Sequence, residues 1–231
     1  MRIVTPTEIE QVAWEGYLEQ PAQVYKGVRG AAGLARVTVG EPVWWPPEQA
    51  LESQTGKKWT PPAGDRQYTL LRLACNLHPP AERRARYSEA TLSAYLRPRQ
   101  GVELVTAHDL FPQRLTAEDK GKFTVGLGPD LKFGTVEASL LEVGAEIEYH
   151  RVFPVIQGYG LGESRPYWKF AHHAANPLLG CQSVYVVLAA PKDAGGVRLS
   201  VELVATVETK WGPITVGLPQ EVRDHFSWTI E

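Results

Sequence analysis

Cysteine is scarce in this chain: Cys75 and Cys181 are the only two in 231 residues. Two thiols make no disulfide framework, and each sits in an apolar run, so both read as buried structural cysteines. Long apolar stretches are missing as well. None reaches the roughly 20 residues of a membrane-spanning helix, and the opening MRIVTPTEIEQ lacks the apolar core of a signal peptide. The expectation is a cytoplasmic protein with no membrane partner. Nor is there a large excess of one charge. A formal charge of −2 and a pI near 6.3 give no global attraction for nucleic acid, which is therefore not expected as a partner.

Catalytic signatures are absent too. No G-x-S-x-G elbow occurs, and neither cysteine stands beside a basic residue that would lower its pKa. No H-x-H, H-x3-H or C-x2-C spacing supplies two metal ligands from one element. The QGYGLGE stretch has spaced glycines but lacks the P-loop lysine and the following helix. No cofactor and no metal are expected, and the reading leans away from an enzyme.

What the chain does contain is a period of two. Thr69, Leu71, Leu73, Cys75 and Leu77 form one apolar row, and Ala90, Leu92, Ala94 and Leu96 form another, with HPPAERRAR as the turn between them. Downstream, QSVYVVLAAP is apolar on both faces and VRLSVELVATVE alternates, with KDAGG between them. Two hairpins of similar length thus suggest equivalent places in two sheets or modules. FTVGLG, KFGTVEASLLEVG, AEIEYHRVFPVIQG and RPYWKFAHHA add short strands bounded by turn residues.

Near the start, Thr7 and Glu10 resemble a capping box, with Ile9, Ala13 and Tyr17 on one side of a helix that ends before Pro21. A second short helix is expected in PPEQALESQTG, with Pro47 in its first turn. The fold class is mainly β: an antiparallel β-sandwich, or a barrel-like variant, with short N-terminal helices. Residues 1–65 form a helical, proline-rich segment packing on the core, and residues 66–231 form the core.

Candidate binding residues fall into three groups. Trp44, Trp45 and Trp59 flank a proline-rich loop, where tryptophan offers large contact area at small entropic cost. Trp168 and Trp211 adjoin strands and read as core or half-core. Arg83, Arg84 and Arg86 belong to a lysine-free segment, Arg66 to Arg99, with seven arginines against Glu82 and Glu89. Arginine suits planar, bidentate contacts. Finally, Tyr159, Arg165, Trp168 and His172 frame an aromatic stretch; alternation puts His172 with Trp168 and Phe170, and His173 with Tyr167 and Lys169.

The leading reading is a non-catalytic interaction module that binds a protein partner or assembles with itself, as a homo-oligomer, through the tryptophan loop and the arginine-rich turn. Two alternatives stay open. One is a small-ligand binder, holding a carbohydrate or nucleotide against Trp168, Tyr159 and His172. The other is a metal-dependent hydrolase using His172 or the His108–Asp109 pair as base.

Overall fold

In the computed structural model, the described residues are 2–3, 11–20, 35–52, 57–115, 155–173 and 177–230. They form a mostly antiparallel β structure of two packed sheets, with few and short helices. The strands are β1 (Arg2–Ile3), β2 (Val12–Tyr17), β3 (Arg36–Gly40), β4 (Val43–Trp45), β5 (Leu51–Glu52), β6 (Arg66–Leu77) and β7 (Arg86–Pro98). They continue with β8 (Thr106–Phe111), β9 (Arg114–Leu115), β10 (Val155–Tyr159), β11 (Tyr167–Ala171) and β12 (Gly180–Pro191). The last are β13 (Val197–Thr209), β14 (Gly212–Gly217) and β15 (Ser227–Ile230).

One sheet runs β2-β3-β6-β12-β8, with β4 also on β6; the other runs β14-β13-β7-β11-β10-β9, with β15 also on β13. The two apparent hairpins are therefore not hairpins. Each unit, β6 with β7 and β12 with β13, passes from one sheet to the other. Like then pairs with like: β6 lies along β12 from Arg66↔Pro191 to Leu77↔Gly180, and β7 lies along β13 from Pro98↔Val197 to Arg86↔Glu208. Alternation specifies which face is apolar and leaves the neighbour undetermined. The long HPPAERRAR link gives room to change sheets, and the expected equivalence of the two units survives as this crossover.

The inward rows meet in one large core. Leu71, Leu73, Cys75 and Leu77 of β6 face Leu92, Ala94 and Leu96 of β7, with Val184, Val186, Leu199, Leu203, Trp168 and Phe170 between them. A smaller core on the outer face of the first sheet joins Ile3, Trp45, Ala50, Leu51, Leu70 and Val187. It explains why β12 is apolar on both faces: Val187 packs outward while Val186 and Leu188 pack inward.

The first expected helix is corrected: Val12–Tyr17 is a strand paired with β3. Its β-branched and aromatic residues suit a half-buried pleat, and Gly16 weakens a helix there; Thr7, Ile9 and Glu10 lie outside the described residues. The second forms one turn, α1 (Pro47–Ala50), with proline at its start. At the other end, PQEVRDHFSW supplies both a helix, α2 (Gln220–His225), and β15. Of the stretches read as strands before β10, FTVGLG and KFGTVEASLLEVG lie outside the described residues, and so does AEIEYHRVFPVIQG up to Val155.

Candidate functional site

The three tryptophans of the proline-rich region divide between packing environments. Trp45 is buried in the small core, Trp44 packs half-buried against the large core, and Trp59 packs on the small core. Adjacent residues of β4 face opposite ways, which separates Trp44 from Trp45. Trp59 makes edge contacts with Tyr68 at 5.4 Å and His108 at 6.3 Å between ring centres. Trp44 and Trp45, with Gln67, Tyr68, Thr69, Val197 and Ile230, line an open cleft of about 230 Å³ between the sheets. No Asp, Glu, His, Lys or Arg lines it.

The aromatic group does not converge either. Trp168 is fully buried in the large core, with its indole Nε1 against Gly158 and without a hydrogen-bond partner. His172 is half-buried on the same face, and its Nδ1 also lacks a partner. Tyr159 and Arg165 lie on the outside of that sheet. Tyr159 stacks on Tyr167 at 4.8 Å. The Arg165 guanidinium lies 4.4 Å from the Tyr95 ring centre and hydrogen-bonds its hydroxyl. Tyr95 donates in turn to Glu202 Oε2 at 2.6 Å, and Arg223 Nη1 reaches Glu202 Oε1 at 3.3 Å. Burial, then the hydrogen bond to Glu202, raises the Tyr95 pKa. This exposed network ties α2 and the β10–β11 turn to the sheet, and Glu202 is already shared by three partners.

The spaced glycines of QGYGLGE have a structural use. Gly158 leaves room for the Trp168 indole, and Gly160 and Gly162 take positive φ in a turn whose Gly162 N–H donates to Ala107 of the other sheet at 2.7 Å. His108 and Asp109 point apart. Asp109 Oδ1 accepts from the Leu110 N–H at 2.9 Å and from Gln113 Nε2 at 3.0 Å, which leaves no acid–base pair. Among the described residues, no group of three or more His, Cys, Asp or Glu is placed to hold a metal.

The arginines fare differently. Arg83 and Arg84 are exposed in the β6–β7 turn, and Arg86 is exposed and paired with Glu208 at 2.6 Å. Beside them projects a residue that sequence reasoning assigned to the core or half-core: Trp211, 83% exposed at the β13–β14 turn. The signal for it was local. Lys210-Trp211-Gly212 interrupts an alternating run with a charge and a glycine, which marks a turn more than a strand. Cys181 is also exposed, against the expectation of burial, while Cys75 is buried.

No protein-family model matches this chain, and no curated protein matches it. Among solved structures it is similar to one described as a pore forming protein, with 9% identity, TM-score 0.39 and coverage of 96% of this chain and 100% of that one. It is also similar to the Clostridium perfringens NetB toxin in the membrane inserted form, with 9% identity, TM-score 0.35 and coverage of 92% and 98%. At such identity the likeness says nothing of individual residues.

The descriptions of these neighbours stand against the expectation of a cytoplasmic protein-binding module with no membrane partner, which is not carried further; at such TM-scores they assign no role to this chain. Long apolar runs mark helices only; among the described residues no helix is long and apolar enough to cross a membrane, which says nothing of strands. A strand that crosses a bilayer is apolar at every second residue.

Proposed function

We propose that this protein acts on membranes by inserting β-strands that close into a barrel with those of other copies. One observation carries the reading: β9 and β10 are antiparallel partners, Leu115 opposite Ile156, at the edge of the second sheet. Residues 116–154 therefore leave and rejoin the sandwich side by side.

Their sequence has the pattern and length that a membrane hairpin needs. Phe123, Val125, Leu127, Leu131 and Phe133 are apolar at odd positions, interrupted by Pro129, against Thr124, Gly126, Gly128, Asp130 and Lys132. The odd positions from Leu141 to Tyr149 are apolar again, against Glu142, Gly144, Glu146 and Glu148. Each stretch matches the roughly 9–11 residues of a membrane-crossing strand. Set antiparallel with Phe123 opposite Tyr149 and Leu131 opposite Leu141, one face is apolar and the other carries the charges. Such a hairpin cannot stand alone in lipid, because its outer edges would leave backbone groups unpaired; closure requires several copies.

The reading agrees with how the two structural neighbours are described and does not depend on them. It is tested by mixing the protein with dye-loaded phospholipid vesicles and sizing the detergent-extracted product. Dye release together with an assembly of several copies is expected. Intact vesicles with a monomer throughout would overturn it.

A further inference from the structure

The β13–β14 turn is built to hold a large aromatic side chain in solvent. Trp211 is 83% exposed, yet its backbone is fixed: its N–H donates to Thr209 Oγ1 at 3.1 Å, and that hydroxyl donates to the Gly212 carbonyl at 3.0 Å. Gly212 takes φ of +112°, which favours glycine. Lys210 Nζ lies 5.1 Å from the Trp211 ring centre.

The surroundings are basic. The Glu208↔Arg86 pairing sets this turn beside the β6–β7 turn, with Arg83 and Arg84 exposed. Together residues 81–86 and 208–212 carry Arg83, Arg84, Arg86 and Lys210 against Glu82 and Glu208, and Glu208 is paired with Arg86. Tyr17 and Leu179, 48% and 39% exposed, belong to the same end, since Gly180 and Val37 both pair with Leu77 there. This end presents a projecting aromatic with Lys210 against its ring and exposed arginines on the neighbouring turn.

We propose that this end of the sandwich seats on an anionic phospholipid surface, with Trp211 entering the headgroup layer and the arginines on lipid phosphates. Tryptophan favours that layer because its ring is apolar and its N–H polar. Arginine matches phosphate geometry. The inference rests on the membrane reading above and deepens it: β9 ends and β10 begins at this same end, so docking here brings both ends of residues 116–154 to the bilayer. The opposite end also exposes apolar side chains, Val102, Leu104 and Leu161. There exposed Glu103, Glu163 and Asp193 stand among exposed Arg97, Arg99, Lys192 and Arg198, so charge does not separate the two ends; what separates them is that none of the three apolar side chains is aromatic.

The test is co-sedimentation with phosphatidylcholine vesicles, with and without phosphatidylserine, run beside dye release. Wild type is expected to bind the phosphatidylserine vesicles more tightly. Trp211→Ala should weaken binding roughly tenfold. Arg83→Ala with Arg84→Ala should weaken binding to the anionic vesicles roughly thirtyfold and bring the two vesicle types closer together. Val102→Ala with Leu104→Ala should bind as wild type. Melting temperatures should stay near wild type, since these side chains are exposed. Equal binding by the Trp211 or arginine variants, or loss in the Val102 and Leu104 variant alone, overturns the assignment of this end while dye release by wild type leaves the membrane reading standing. If wild type neither binds nor releases dye, both fall.

Discussion

Leu115 and Ile156 are direct partners across the β9–β10 ladder, although 40 residues lie between them in the chain. Connections in compact domains are mostly far shorter, and those beyond about 12–15 residues usually have a use of their own or are linkers. Under the proposed function the alternating sequence of residues 123–133 and 141–149 gives this connection a use, with the two-sheet sandwich as the carrier and the edge ladder as the root of the membrane strands.

Packing around the ladder makes a first prediction. A Cβ at Gly158 would lie 2.9 Å from the Pro112 carbonyl oxygen and 3.1 Å from Trp168 Nε1. Backbone on one side and a fully buried indole on the other leave nothing easy to move. Gly158→Ala is expected to cost about 1–3 kcal/mol in urea unfolding, through overpacking. Gly162→Ala, where no atom lies within 4 Å but φ is +80°, should cost about 1 kcal/mol through strain alone.

Alkaline pH should loosen the sandwich. Tyr87 is buried and donates to the Arg36 carbonyl at 3.1 Å; burial, then the neighbouring Cys75, raises its pKa well above the ordinary 10. The unfolded chain therefore releases this proton first. Stability from this group is intact below about pH 10 and is lost as pH climbs toward the raised native value, at up to about 1.4 kcal/mol per pH unit. Tyr87→Phe should flatten that slope in urea titrations above pH 10.

Acid should act through His78. Burial and the Arg36 charge lower its pKa below the ordinary 6.5, with Glu15 opposing. Its Nε2 lies 2.8 Å from Thr38 Oγ1. The unfolded histidine takes up its proton at higher pH than the native one. Stability is full above about pH 6.5 and falls as pH drops below it toward the lowered native value. His78→Gln should reduce the fall, read as melting temperature between pH 7 and pH 5.

The fold class was legible because period two is a direct imprint of a half-buried strand: the rows through Leu73 and Leu92 reappear as the facing halves of the large core. Topology was not, since alternation is silent about which strand lies alongside, and both sheet crossovers were read as hairpins. The Val12–Tyr17 strand was missed because the Ile9, Ala13, Tyr17 spacing also fits a helix. Arg83 and Arg84, which stand out by composition, are exposed in the β6–β7 turn. Trp211 does not stand out, because size and aromaticity suggest burial, and only the turn chemistry of its neighbours argues otherwise. The expectation of no membrane partner rests on a helix criterion that an alternating strand passes unseen.

The most direct test labels single cysteines, one at a time from Leu141 to Tyr149, with an environment-sensitive dye in a background lacking Cys75 and Cys181. On adding vesicles, the account predicts emission that alternates, with odd positions moving to an apolar environment and even positions staying in water. Uniform emission along the stretch, or no change on adding vesicles that the protein permeabilises, would contradict it.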